Sequence, residues 1–570
     1  MKTRNRLITF FICTLMIVAS IAGCAATPAA QESEEPDYNS LPEAPAATEA
    51  PAAEAPMEEY APAEQPAAEE PAEAPAADGE DFSFIDEYDY DYDYDRPPVY
   101  DPNSEEYGSY QENNYVSPVK SPLSTFSIDV DTASYSQVRN YLNDGHLPPY
   151  DAVRVEEFIN YFPYDYAAPD GRHPVSVNVT ISGCPWNDGR ALARVVVKAK
   201  ELDITNKPPS NLVFLLDVSG SMDEPNKLPL VKSALSLLAA DLRSTDRISI
   251  VVYAGASGIV LDSCKGSDSA TISAALDRLQ AGGSTAGGEG INLAYAMAEK
   301  NFIKNGNNRI ILCTDGDFNV GPSSIDELEQ LIERKRNTGV YLSVLGFGTG
   351  NTKDNKMETL ADKGNGNYSY IDTLSEAQKV LVNEAASTLF TVAKDVKLQI
   401  EFNPKAVAEY RLVGYDNRIL NSEDFNNDRK DAGEMGAGHC VTAFYELALI
   451  GSGAGSVDDL VFQSGNQAAQ SKPAKDWMYV KLRYKQPDAA NSKLLTVMAG
   501  QKNFTAKPDN DFLFASAVAE LALLLKDSDY AGDADFSRLI ARARAARGSD
   551  PEGYRAQFIQ LAGLAQQLSR

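Results

Sequence analysis

The fold of this chain is decided by the stretch Asn211-Leu-Val-Phe-Leu-Leu216-Asp217-Val-Ser219-Gly-Ser221-Met. Its apolar centre predicts a buried strand of a parallel sheet. At the carboxyl end of this strand, one carboxylate and two hydroxyls follow at alternating positions on a glycine-containing turn. Ligands of open α/β sheets bind outside the carboxyl ends of the strands. Hard oxygen donors at that position suit a small divalent cation such as Mg²⁺.

Two later loops supply further oxygen donors. Gly282-Gly-Ser-Thr285 forms a glycine-rich loop before a predicted helix, and Thr285 adds a third hydroxyl. Arg309-Ile-Ile-Leu-Cys-Thr-Asp315 predicts a second buried strand that ends in a carboxylate. The sequence therefore predicts one cation site built from three loops.

In these three segments the sequence resembles the von Willebrand factor type A family and its metal-ion-dependent adhesion site. The positions that match the family are Asp217, Ser219, Ser221, Thr285 and Asp315. The resemblance implies that both serines bind Mg²⁺ or Mn²⁺ directly, that the threonine joins when ligand is bound, and that the aspartates act mostly through water. It also implies that the ion takes an acidic group from a protein partner. Asp317 is interpreted as an ordinary loop carboxylate.

Strand and helix patterns alternate from Pro208 to Val392. This alternation predicts an α/β, doubly wound, mostly parallel sheet. Strands are expected at Leu212–Leu216, Ile248–Tyr253, Arg309–Thr314 and Tyr341–Phe347. The last helix of this domain, residues 208–392, is expected at Val380 to Phe390.

The regions on either side of this domain, 119–207 and 393–570, resemble flanking regions of a bacterial subgroup of the family. Strand patterns occur in both, at Val175–Ile181, Leu192–Lys198, Val396–Phe402, Val441–Leu449 and Trp477–Tyr484. We predict that the two flanks pair into one β-sandwich, with the type A unit inserted in it. From Phe512 the pattern turns helical, and its alanine and leucine spacing predicts packed helices.

The amino terminus has the features of a secretory signal, residues 1–23. Lys2, Arg4 and Arg6 precede an apolar run that ends at Gly23. The end of this run, Ile-Ala-Gly-Cys24, resembles the bacterial lipobox, which implies cleavage before Cys24 and lipid attachment to it. The alternative is an ordinary signal followed by a coincidental cysteine. With lipidation, the protein is anchored to a membrane of the bacterial envelope, outside the cytoplasm.

Residues 24–118 are predicted to form a disordered acidic tether. Pro/Ala/Glu repeats come first, and a Tyr/Asp alternation follows at Asp86 to Asp95. The stretch from Gln31 to Lys120 holds 26 acidic and two basic residues, a net charge of −24 out of −31 for the chain. We interpret the Tyr/Asp run as a solvated spacer, with a docking or cation-attracting motif as the alternative. Nucleic acid is excluded as a partner class because no basic stripe occurs.

Cysteines and histidines give little support for catalysis. The four cysteines after residue 24 lack zinc-type spacing, and Cys313 lies in an apolar strand as a small buried hydrophobe. None of the three histidines lies beside a Ser or Cys in a nucleophile motif, and His439 is interpreted as a surface or capping residue. Asp131, at the end of an early strand pattern, is interpreted as a helix cap.

These observations predict a surface-anchored protein that binds an acidic protein partner through a metal, and not an enzyme. One alternative is an envelope assembly scaffold in which the metal is structural. A metal-assisted hydrolase is the other, with Asp315, Asp317 and Glu289 as the candidate bases. A cation held by hydroxyls with no dedicated base is a poor activator of water.

Overall fold

A computed structural model describes the folded body of the chain. The described residues are 105–128, 131–202, 207–283, 287–316, 318, 325–350, 352–455, 474–487 and 489–570. Cys24, Thr285, Asp317 and the part of the predicted tether up to residue 104 therefore lie outside the described residues.

The secondary-structure elements fall into three consecutive groups. The first group is β1 (Leu123–Ser127), α1 (Ala133–Asn143), α2 (Val155–Asn160), β2 (Val175–Gly183) and β3 (Ala191–Ala199). The second group is β4 (Ser210–Asp217), α3 (Leu228–Asp241), β5 (Arg247–Tyr253), β6 (Ser257–Lys265), α4 (Ser269–Asp277), α5 (Gly287–Lys300), β7 (Asn307–Thr314), α6 (Ile325–Arg336), β8 (Val340–Phe347), α7 (Asp354–Lys363), β9 (Tyr368–Ile371), α8 (Leu374–Gln378) and α9 (Ala385–Leu389). The third group is β10 (Thr391–Phe402), β11 (Val407–Val413), β12 (Met435–Gly436), β13 (Cys440–Leu449), β14 (Asp476–Lys485), β15 (Lys493–Gly500), α10 (Asn510–Leu525), α11 (Phe536–Ala545) and α12 (Tyr554–Leu568).

The second group forms a six-stranded sheet in the order β6-β5-β4-β7-β8-β9. All neighbouring strands are parallel except β6, which runs antiparallel to β5. Phe214 and Leu216 face one hydrophobic core, and Val213 and Leu215 face the other. Because both faces of β4 are covered, its sequence is apolar without alternation. The predicted doubly wound sheet is confirmed.

Two details of this domain differ from the prediction. The edge strands β6 and β9 were not foreseen, because the half-exposed, mixed sequence of β6 carries little periodic signal and β9 has only four residues. The expected last helix at Val380 to Phe390 is instead a π-helical turn at Lys379–Asn383, which continues α8, followed by the short helix α9. A single helical pattern does not reveal such a change of hydrogen bonding.

The flanks form a β-sandwich, as predicted. One sheet has the order β1-β10-β14-β15 with β12 on β10, and the other has the order β11-β13-β3-β2. Strand β1 pairs with β10 and β3 pairs with β13, so strands from before and after the central domain share both sheets. A common apolar core lies between the two sheets. The central domain is thus inserted into the sandwich.

The carboxyl-terminal helices pack as expected. Helix α10 is apolar on nearly all sides and is buried by α2, α11 and β13 together with further neighbours. Its aromatic residues Phe512 and Phe514 contact Phe444 and Phe162. Within the described ranges, every helix is too short or too polar to span a bilayer.

The described residues just before the predicted boundary at residue 118 contact the folded body. Val116 bridges to Tyr410 of β11, and the ring of Tyr115 lies 3.7 Å beneath the guanidinium of Arg190. The Tyr115 hydroxyl also donates to the buried carboxylate of Glu446. Tyr115 is bound by Arg190, which lies far away in the sequence, so local composition gave no sign of order.

Candidate metal site

Asp217 lies at the carboxyl end of β4 and is fully buried. Its Oδ1 accepts a hydrogen bond from the backbone N–H of Ser219 at 2.9 Å. Its Oδ2 accepts from the hydroxyls of Tyr253 at 3.0 Å and Thr314 at 3.3 Å. Burial raises the pKa of Asp217, and the donors from Ser219 and Tyr253 oppose this rise. The carboxylate joins the ends of β4, β5 and β7 and fixes the first loop.

The two serines lie side by side after Asp217. Their Oγ atoms are 3.1 Å apart, with Ser219 buried and Ser221 exposed. A short 3-10 turn at Gly220–Asp223 produces this arrangement. Ser221 therefore faces solvent, while Ser219 and Asp217 lie behind it.

The second loop is bonded to the first through its backbone. Gly282 donates its N–H to the carbonyl of Val218 at 2.8 Å, and Gly220 donates to the carbonyl of Gly283 at 3.1 Å. Gly283 has a φ of 90°, which favours glycine at this position. Thr285 follows two residues later, outside the described residues, so its role stays a prediction.

The third loop brings Asp315 to the same edge of the sheet, directly after β7. Asp315 is buried, and its Oδ2 lies 3.1 Å from Nζ of Lys227. Lys227 is itself buried at the start of α3. A Cβ atom added to Gly348, whose φ is 77°, would lie 2.4 Å from Cε of Lys227, so glycine leaves room for the lysine. Lys227 was not predicted from the sequence, because a lysine before a helix ordinarily lies in solvent.

This donor set fits a hard divalent cation. Two adjacent hydroxyls form its outer part, and two carboxylates lie behind them, which is oxygen chemistry suited to Mg²⁺ or Mn²⁺. Across the described ranges, no three His, Cys, Asp or Glu side chains converge on a common point. A cation here would depend on the serines, and Ser219 and Ser221 would be its direct ligands.

Three further residues were interpreted from the sequence, and they lie away from the metal site: Asp131, His439 and Cys313. Asp131 Oδ1 accepts from the N–H of Ala133 at 3.3 Å, which is a capping contact, although the residue before α1 is Thr132. His439 is half-buried beside a cavity of about 360 Å³, and burial lowers its pKa to about 4. Cys313 is fully buried, as interpreted. The four cysteines of the described residues are free thiols.

Three family models match the chain. The von Willebrand factor type A domain matches residues 211–384, and a model described as von Willebrand factor matches residues 101–194. The carboxyl-terminal region of a protein named YfbK matches residues 387–568. The boundaries of these matches follow the three groups of elements.

Similar proteins cover different shares of the chain. The protein YfbK of Escherichia coli strain K12 is 46% identical over 474 residues, which is 82% of each chain. Inter-alpha-trypsin inhibitor heavy chain H3 of Bos taurus is 26% identical over 265 residues, 45% of this chain and 28% of its own. A solved von Willebrand factor type A structure from Catenulispora acidiphila has 16% identity and a TM-score of 0.37, covering 67% of this chain and 89% of its own. By its extended identity to the E. coli protein, the chain belongs to the YfbK family of proteins with a von Willebrand factor type A domain.

Proposed function

We propose that this chain is a lipid-anchored envelope protein whose type A domain binds an acidic protein partner through a divalent metal. The observation that carries the proposal is the pair of hydroxyls of Ser219 and Ser221, which lie 3.1 Å apart at the solvent edge of the sheet. A bound Mg²⁺ or Mn²⁺ would supply a coordination position that a carboxylate of the partner can fill.

The carboxylates of the site support binding rather than catalysis. Asp217 is fixed by three donors, and Asp315 is paired with Lys227. A general base needs a carboxylate that can reach a proton of the substrate. These two carboxylates instead hold the loops in place. Because both are buried, their negative charge lies away from the solvent-exposed edge of the site. The serines then present a cation whose charge is only partly neutralised.

The anchor rests on the sequence around Cys24. A lipidated Cys24 and the acidic segment after it would hold the folded body at the membrane and away from its surface. In this arrangement the metal site meets partners of the envelope or the exterior. Mass spectrometry of the membrane fraction tests this part, because lipidation adds a defined mass to the peptide that starts at Cys24.

Metal binding is tested first, by titrating Mg²⁺ or Mn²⁺ into the purified protein in a calorimeter. The wild type should bind one ion, and Ser219→Ala should lose at least about tenfold in affinity. Ser233→Ala is the matched control, because this exposed serine of α3 bonds only its own helix through the Pro229 carbonyl. If the wild type gives no heat of binding with either ion, the proposal is wrong.

Partner capture is tested next, from envelope extracts with and without EDTA. A partner of the metal site should be retained by the wild type and by Ser233→Ala, and lost with EDTA or with Ser219→Ala. Capture that survives both treatments would favour the scaffold alternative, in which other surfaces assemble the envelope.

A further inference from the structure

The two sheets of the β-sandwich have four outer edges, formed by β1, β15, β11 and β2. Three of these edges are bonded to neighbouring segments of the chain. The backbone bonds that cover them run from the N–H of Leu420 to the carbonyl of Thr125 on β1 at 2.9 Å, from the N–H of Thr505 to the carbonyl of Ile181 on β2 at 2.8 Å, and in both directions between Val116 and Tyr410 on β11 at 2.9 and 3.0 Å. These segments protect the three edges from pairing with other chains.

The fourth edge, β15, has no such cover in the part of the chain that the structure describes. The strand pairs with β14 on one side, and no described backbone group bonds to its other side. It contacts β2 of the facing sheet without forming a ladder with it. An edge strand of this kind presents a row of unpaired N–H and C=O groups, on which a further strand can form.

The side chains of β15 are apolar on both faces. Leu494 and Met498 lie on the outer face and are 52% and 42% exposed, with the exposed Thr496 between them. Leu495 and Val497 point the other way and pack against the core of the sandwich while remaining half-buried. The outer edge therefore combines free backbone groups with exposed apolar side chains.

The edges of the central sheet are protected in ways that β15 is not. Strand β6 carries Asp262, which is paired with Lys300 at 2.7 Å, and its register against β5 shifts twice. Strand β9 has only four residues. Charged side chains, bulges and short length all oppose pairing at an edge. By contrast, β15 has eight residues, its register shifts only near Gly500, and its one charged side chain is Lys493 at the first position.

The sequence of β15 is complementary to itself when a second copy runs antiparallel to it. With Thr496 opposite Thr496 of the second copy, the strands pair from Lys493 to Ala499. This register keeps outer-facing residues opposite outer-facing ones. Leu494 then faces Met498 of the second copy, and Lys493 faces Ala499. Apolar cross-strand pairs are stabilising, and no two like charges lie opposite each other.

The neighbouring strand does not oppose this arrangement. Lys481 of β14 lies directly opposite Thr496 on the outer face. In the paired arrangement, three strand spacings separate it from its counterpart, a distance of about 14 Å. Salt screens exposed charges beyond about 8–10 Å. Arg483, opposite Leu494, is already paired with Asp428 at 3.1 Å.

We propose that β15 pairs with β15 of a second copy of the chain, so that two sandwiches share one continuous sheet in a symmetric dimer. This inference goes beyond the proposed function and requires no metal. Seven paired residues span about 24 Å. A contact of this length buries on the order of 1,000 Å², at the low end of specific interfaces, so the dimer forms in a concentration-dependent way. It carries two type A domains, which bind a multivalent partner with avidity.

Sedimentation of the purified full chain in EDTA tests the dimer. The average mass of the wild type should rise toward twice that of the monomer between about 1 and 100 µM. The double variant L494K/M498K should associate about tenfold more weakly or less, because each lysine faces a lysine of the second copy. Its melting temperature should stay that of the wild type, since both positions are exposed. The matched control is I259K/L374K, whose replaced side chains are 47% and 46% exposed, and it should associate like the wild type.

A charge exchange tests the register. The variant L494E/M498E should also be monomeric, whereas its equimolar mixture with L494K/M498K should recover association, because each lysine then faces a glutamate. A wild type that stays monomeric overturns the inference and leaves this edge to a strand of another protein. Unchanged association of L494K/M498K, or a mixture that stays monomeric, overturns it as well. Because these measurements contain no metal, none of their outcomes decides the proposed function.

Discussion

The ammonium of Lys227 lies 3.1 Å from Oδ2 of Asp315, and both side chains are almost completely buried. The lysine side chain therefore neutralises Asp315, one of the two carboxylates of the candidate metal site. Breaking such a pair by removing one partner leaves a buried charge without compensation. The pair makes the stability of the site and its affinity for metal interdependent.

Lys227→Met should lower the melting temperature in EDTA, because Asp315 loses its buried counter-charge at a cost of about 3–5 kcal/mol. Mg²⁺ should then raise the melting temperature of the variant more than that of the wild type, since binding to the folded state alone is stabilising. Lys232→Met, on the same helix α3, is the control and should change neither value. Equal stabilisation of Lys227→Met and the wild type by Mg²⁺ would contradict the expected coupling.

Gly287→Ala should separate the second and third loops of the metal site. A Cβ at Gly287, the first residue of α5, would lie 2.6 Å from the ring of Phe318. We expect a loss of stability of about 1–3 kcal/mol from overpacking, together with weaker Mg²⁺ binding. Gly563→Ala in α12 is the matched control, because its Cβ meets nothing within 4 Å. That variant should gain about 0.5–1 kcal/mol in chemical denaturation, and a loss in both variants would show that packing at Phe318 is not the cause.

Glu157 should make the folded chain less stable as pH rises. Burial raises its pKa from 4.5 to about 7, although the Arg154 guanidinium opposes this rise. Because the folded pKa exceeds the unfolded one, the unfolded chain releases this proton first as pH increases. The free energy of unfolding should therefore fall between about pH 4.5 and pH 7, by on the order of 2–3 kcal/mol.

Glu157→Gln removes this titration while keeping an acceptor for the N–H of Ser134, which bonds Glu157 at 2.8 Å. The variant should match the wild type near pH 4.5 and exceed it in stability near pH 8, measured by urea unfolding. The exposed Glu552→Gln is the control and should follow the wild-type profile. A variant profile parallel to the wild type across this range would rule out Glu157 as the source.

The rate at which each cysteine reacts with a thiol reagent should fall as its burial increases. Cys264 is half-buried in the edge strand β6, whereas Cys313 is fully enclosed and its burial raises its pKa well above the usual value. A thiol reagent at pH 8 should modify Cys264 first and Cys313 only after unfolding. Cys264→Ser should remove the fast phase. Rapid labelling of Cys313 in the folded protein would contradict its position in the core.

The sequence by itself determined the fold of the central domain and predicted which oxygen donors would form the metal site. The apolar run of β4 and the Asp217-Val-Ser219-Gly-Ser221 turn carry this information locally, because strand burial and loop ligands depend on residues close together in the chain. The strand patterns of the flanks were likewise sufficient to predict the sandwich, since each alternates or is apolar over its own length.

Only the tertiary structure decided which distant residues meet. The Lys227–Asp315 pair joins the start of α3 to the end of β7, 88 positions apart, and Tyr115 reaches Glu446 across 331 positions. No local pattern encodes such contacts, because each partner alone resembles a solvated side chain. The same is true of Glu105, whose carboxylate accepts from the N–H of Gly350, 245 positions away. Burial selects these pairs, since an unpaired charge in the interior costs far more than one in water.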